Sequence, residues 1–120
     1  MASSGVTSGT DNSDIAIFGA GSWGTALAVQ FARAGHRVSL WGRSANQLRQ
    51  MDTERCNSRY LPGIRFPDNL HPAPDLRQVA SGHQDLLICV PSHSFREILS
   101  AIRPHLQSGA RIAWATKGFE

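Results

Sequence analysis

Gly19, Gly21 and Gly24 fit the spacing G-x-G-x-x-G and follow directly on the apolar run Ile15-Ala16-Ile17-Phe18. Glycines in that order suit a dinucleotide, and each has its own task. Gly19 permits a sharp turn, Gly21 lets a pyrophosphate approach the main chain, and Gly24 lets the next helix sit close to a sheet. A pyrophosphate there would meet the free N–H groups and positive dipole end of that helix. The alternative for the same letters is a glycine turn that merely connects a strand to a helix.

About twenty residues past such a turn, sites that prefer NAD carry a carboxylate for the adenosine ribose. This chain has Trp41-Gly42-Arg43-Ser44 there, with no carboxylate among them. Arg43 and a neighbouring hydroxyl suit a 2′-phosphate, and no anion in that stretch repels one. NADP(H) is therefore the expected cofactor, with NAD(H) remaining possible if Arg43 only stacks on the adenine. Lys117 is the single lysine beside eleven arginines. A chain that uses Arg for nearly every cation marks Lys117 as a place where a compact ammonium is wanted, unless its identity is chance.

These groups need a frame that brings them together. Gly24, Ala28, Phe31 and Ala32 recur at i, i+4, i+7 and i+8, one helical face, and Gly35 ends that helix. His36 to Trp41 reads as the next strand, completing a βαβ unit. Ser44 with Gln47, Asp75 with Gln78, and Ser94 with Glu97 have the spacing of helix caps. Between the first two, Pro62, Pro67, Pro72 and Pro74 limit regular structure. Tyr60-Leu61-Pro62-Gly63 reads there as a turn and Arg65-Phe66-Pro67 as a short strand, in a long loop expected to lie over the adenosine end of the site.

Leu86 to Val90 is a continuous apolar run, as in a parallel strand covered on both faces, and Pro91 ends it. Phe95, Ile98, Leu99 and Ile102 mark one more helix face, closed by Pro104, and Ala110 to Ala115 forms a last strand. The alternation predicts an α/β fold, a Rossmann-type doubly wound parallel sheet with helices on both faces. Ligands bind at the carboxyl ends of its strands, so the glycine turn, Arg43, Pro91 to His93, and Lys117 should all face one crevice, with Pro91 a wall of the nicotinamide half.

Length and composition are those of one domain over residues 14–120, after a polar leader at 1–13 expected to be disordered. The net charge of +3 comes from scattered arginines, which argues against a nucleic-acid partner. Cys56 and Cys89 lack disulfide-framework or C-x-x-C spacing, and the five histidines lack ligand spacing, so no metal is expected. No stretch has the length of a membrane span and the start lacks an export signal, which points to a reducing cytoplasm.

The ordered set GAGSWGTALA, WGR, CNSRYLPG, VPSHSF and WATKGFE, running from about Asp14 to Glu120, resembles the amino-terminal domain of bacterial NAD(P)-dependent glycerol-3-phosphate dehydrogenases. The resemblance implies interconversion of glycerol 3-phosphate and dihydroxyacetone phosphate in glycerophospholipid synthesis. By match it makes Ser22, Trp23 and Arg43 cofactor contacts and puts Lys117 where cofactor and substrate meet. It also implies a second, mostly helical domain carrying the general-base lysine. No lysine follows Lys117, so no catalytic residue is assigned in this chain, which is expected to bind cofactor without turning over. A homodimer is one option for a full-length protein. A stand-alone NADP(H)-binding or sensing module is the alternative from another class. A further alternative is the first domain of another Rossmann dehydrogenase, such as a ketopantoate reductase, although YLPG and WATKG speak against it.

Overall fold

Asp14–Phe18 (β1), a buried apolar strand, occupies the centre of a five-stranded parallel sheet. The computed structural model describes residues 14–115. Arg37–Trp41 (β2) and Asp85–Ile88 (β6) flank β1, in registers that put Phe18 beside Trp41 and Ile88. Leu70–Pro72 (β5) extends the sheet beyond β2, and Arg111–Trp114 (β7) extends it beyond β6. Within the described residues the order is β5-β2-β1-β6-β7, and the chain reverses its direction of travel across the sheet at β1.

Helices cover both faces, as the alternation of elements requires. Ser22–Arg33 (α1) and Ala45–Glu54 (α2) bury Ala28, Val29, Ala32, Leu48 and Met51 against Ile17, Val38 and Leu40. On the other face Leu76–Ser81 (α3) and Ser92–Ile102 (α4) bury Val79, Ala80, Ile98 and Ile102 against Ala16, Phe18, Leu86 and Ile88. The alternation of Ala16, Ile17 and Phe18 between the two cores follows from the two-residue period of a strand.

Local signals act as their chemistry dictates for α2 and α3. Ser44 Oγ accepts from the Gln47 N–H at 3.1 Å, and Asp75 Oδ1 accepts from the N–H groups of Arg77 and Gln78 at 3.0 and 3.2 Å. The cap expected from Ser94 and Glu97 does not form. Helix α4 starts three residues earlier, with Pro91 at its N-cap, so Ser94 lies inside the helix and Glu97 stands beyond its first turn.

The proline-bearing stretch is also more regular than its composition suggests. Cys56–Asn57 (β3) and Leu61–Arg65 (β4) form a two-stranded antiparallel ribbon, so the strand includes Pro62 and Gly63 and stops before Phe66. Pro72 sits in the edge strand β5, where a missing N–H is tolerated. Long-range bonds fix the segment. Arg55 donates through Nη2 to the carbonyls of Pro67 and Leu70 at 2.9 and 2.7 Å, and Asn69 Nδ2 donates to those of Ala32 and His36, both at 2.8 Å.

Candidate functional site

The turn after β1 is built by contact as well as by sequence. Gly19 adopts φ +126°, and a Cβ there would come within 2.2 Å of the Cys89 carbonyl oxygen. A Cβ on Gly24 would come within 1.8 Å of the Gly19 carbonyl oxygen, so α1 rests directly on the turn. Gly21 differs: a Cβ added to it would meet nothing within 4 Å. Its glycine character is thus not demanded by packing. The Gly19 N–H donates to the Trp41 carbonyl at 2.7 Å and the Cys89 N–H to the Phe18 carbonyl at 2.8 Å, joining the ends of three adjacent strands.

Above those strand ends lies a crevice of about 490 Å³. Gly19, Ala20 and Gly21 line it from the first turn, Arg43, Ser44 and Gln47 from the region after β2, and Cys89, Val90 and Pro91 from the region after β6. The expected residues Gly19, Gly21, Arg43 and Pro91 are therefore brought together. Ser22 and Trp23 are exposed at the start of α1 but do not line the crevice, and Gly24 is buried beneath it. Ser92 and His93, expected to follow Pro91 into the crevice, are drawn into the first turn of α4 and do not line it. Lys117 lies outside the described residues.

Arg59 and Tyr60, at the turn of the ribbon, complete the rim. The Arg59 guanidinium stands 5.2 Å from the centre of the Tyr60 ring. Sequence placed the long loop over the site in general terms but did not single out these two side chains; a cation beside an aromatic in a Pro/Gly-flanked turn was the available signal. Behind the rim, Asn57 and Thr25 are almost fully buried. Asn57 Nδ2 donates to the Ala20 carbonyl at 3.1 Å and the Thr25 hydroxyl at 2.9 Å, and Asn57 Oδ1 accepts from the Tyr60 N–H at 3.2 Å.

Three features define the electrostatics. The N-terminus of α1 has no side-chain cap and no acidic residue in its first turn, leaving its N–H donors and dipole end turned to the crevice at Gly21. Gln47 Nε2, on a crevice-lining side chain, is buried without a hydrogen-bond partner. Arg43 donates from Nη1 and Nη2 to the two carboxylate oxygens of Glu97 at 3.2 and 2.9 Å. The stretch around Arg43 contains no acid, yet the fold delivers one from α4. The pairing holds the Glu97 carboxyl below its ordinary range, through the hydrogen bonds first and the charge of Arg43 second. Cys89 is a buried thiol, as expected of a small hydrophobe, and its burial pushes its pKa up to about 12. Both cysteines are free. Among the described residues no group of three or more His, Cys, Asp and Glu side chains gathers, and no helix is long and apolar enough to cross a membrane.

Bare helix donors beside a glycine turn, at the switch point of a parallel sheet, can hold an anionic nucleotide. Comparison with known proteins makes the likeness specific. The glycerol-3-phosphate dehydrogenase (NAD(P)+) of Pseudoalteromonas translucida is 50% identical over 111 residues, which are 92% of this chain and 33% of that protein. The crystal structure of glycerol-3-phosphate dehydrogenase from Coxiella burnetii superposes with a TM-score of 0.84 at 45% identity, over 89% of this chain and 33% of that one. Arogenate dehydrogenase from Synechocystis shares the fold alone, at 19% identity and a TM-score of 0.65, over 85% of this chain and 32% of that one. The chain spans about a third of the length of the curated relatives it matches. Residues 14–120 match the family described as NAD-dependent glycerol-3-phosphate dehydrogenase N-terminus, and the chain belongs to that family.

Proposed function

We propose that residues 14–120 form the NAD(P)(H)-binding domain of an oxidoreductase that interconverts glycerol 3-phosphate and dihydroxyacetone phosphate. The observation that carries this reading is the uncapped N-terminus of α1 opening on the crevice at Gly21, where a side chain would enter empty space. Curated relatives at about half identity are named as NAD(P)+ enzymes of this type.

In this reading the first-turn amides after Gly21 take the pyrophosphate through charge-assisted hydrogen bonds, each worth about 1.5–3 kcal/mol. Ser22 and Trp23 border it, Gly19 and Gly24 set the turn that aims those amides, and Arg43 attends the adenosine end. Pro91 walls the opposite end. Lys117 follows β7 in the sequence, and its ammonium holds and polarises the phosphate-bearing substrate. A bound nicotinamide supplies the hydride chemistry. A general base and the rest of the substrate pocket belong to sequence beyond the third of the relatives' length matched here.

The further context follows from the same reading. Glycerol 3-phosphate made this way feeds glycerophospholipid synthesis in a reducing cytoplasm, a setting that suits two free cysteines. The partners are a small phosphate substrate and, in the full-length protein, a second copy, with no nucleic acid. Calorimetric titration with NADPH and then NADH, repeated on Gly21→Val, tests the proposal. Binding abolished by the substitution in a still-folded chain is expected; binding that survives it would place the nucleotide elsewhere.

A further inference from the structure

Arg43 and Glu97 are 54 residues apart in sequence and meet across the sheet. Arg43 follows β2, whereas Glu97 sits on α4, which follows β6; those two strands flank β1. Their ion pair therefore joins the segments leaving both neighbours of the strand that carries the glycine turn. Both carboxylate oxygens are engaged, with two parallel bonds from Nη1 and Nη2, the fork geometry in which a guanidinium also receives a phosphate.

We propose that Glu97 is a specificity-determining residue that competes with the 2′-phosphate of NADP(H) for Arg43 and so narrows the preference over NAD(H). The inference rests on the cofactor reading of the crevice. A 2′-phosphate arriving at Arg43 either displaces the Glu97 carboxylate or lies beside it. The first breaks two charge-assisted hydrogen bonds, and the second sets a dianion against an anion. Both weaken binding of the phosphorylated cofactor. A ribose bearing a plain hydroxyl leaves the pair undisturbed.

A purely architectural role accounts poorly for this carboxylate. Glu97 caps nothing, since it lies beyond the first turn of α4 and the helix begins at Ser92. Its side chain is 66% exposed and that of Arg43 55% exposed, and exposed pairs contribute little to stability. Weakness is what a displaceable competitor needs: a buried pair would exclude the phosphate altogether, and an absent one would leave Arg43 fully committed to it.

The test uses adenosine 2′,5′-bisphosphate and adenosine 5′-monophosphate, which differ only by the 2′-phosphate, titrated into the full chain. Glu97→Gln should tighten the bisphosphate roughly three- to tenfold, as loss of one exposed charge acting on a dianion allows. The monophosphate should change less than about twofold, because it makes no demand on the pair. Glu97→Ala should shift the ratio in the same direction. In an Arg43→Ala background neither substitution should alter the ratio, because the competition would have lost its object. An unchanged ratio in Glu97→Gln, or an equal gain for both nucleotides, would overturn the inference while leaving the cofactor site intact. Failure of the unsubstituted chain to bind either nucleotide would overturn the cofactor reading, and the inference with it.

Discussion

The side-chain amide of Asn57 donates to the hydroxyl of Thr25 at 2.9 Å, tying the ribbon to the first helix beneath the crevice. The same nitrogen holds the Ala20 carbonyl and the same side chain's oxygen holds the Tyr60 N–H. One buried side chain thus fixes the glycine turn, α1 and the rim relative to each other. Asn57→Ala should lower unfolding free energy by about 2–4 kcal/mol, since it leaves buried polar partners unpaired and opens a void. Urea denaturation measures this. Combination with Thr25→Val should cost less than the two single changes added together, because they share an interaction.

Gly21 and Gly24 should respond oppositely to one added methyl group. At Gly24 the new carbon collides with the Gly19 backbone, so Gly24→Ala should cost about 3 kcal/mol and lower the thermal midpoint clearly. Gly21→Ala meets open space and should cost less than about 1 kcal/mol. Equal losses from the two would mean that the turn tolerates or rejects side chains for some reason other than contact.

Cys89 gives a pH dependence of definite sign. A thiol in the unfolded chain ionises near pH 8.5, whereas the buried one holds its proton until about 12. Between those values the unfolded state binds fewer protons than the folded one, so stability falls as pH rises. Urea midpoints at pH 8 and pH 10 should separate more for the natural chain than for Cys89→Ala. At pH 8 iodoacetamide should modify half-buried Cys56 ahead of Cys89.

Lys117→Ala should leave NADPH affinity within about threefold of the natural chain, because the pyrophosphate contacts assigned here come from backbone amides near Gly21. Its proposed partner is the substrate. A larger loss in calorimetric titration would move Lys117 from the substrate to the cofactor.

What the sequence disclosed was mostly local. The glycine turn, the helix face of Gly24, Ala28 and Ala32, and the caps at Ser44 and Asp75 each depend on residues within a turn or two of one another. Gly19, Gly21, Arg43 and Pro91 then converge because a parallel sheet puts all strand ends on one side. The misses arose where tertiary partners decide. Pro72 reads as a breaker but becomes an edge strand through pairing with Leu40, and Pro62 lies in β4 because its ribbon is anchored elsewhere. Glu97 resembles a capping acid in its own neighbourhood, and only the folded sheet reveals Arg43 as its partner.

The crevice has a floor and a rim of different mechanical character. Gly19 and Cys89 are bonded straight into the neighbouring strands, so their amides should exchange hydrogen only when the sheet itself opens. Arg59 and Tyr60 are exposed side chains that change rotamer at little cost, and Arg43, also exposed, is tethered to Glu97 by an ion pair weak enough to exchange. A ligand entering here meets a rigid base that loses almost no entropy and an edge that must be quieted. Affinity is therefore set less by building the pocket than by how much motion the rim surrenders.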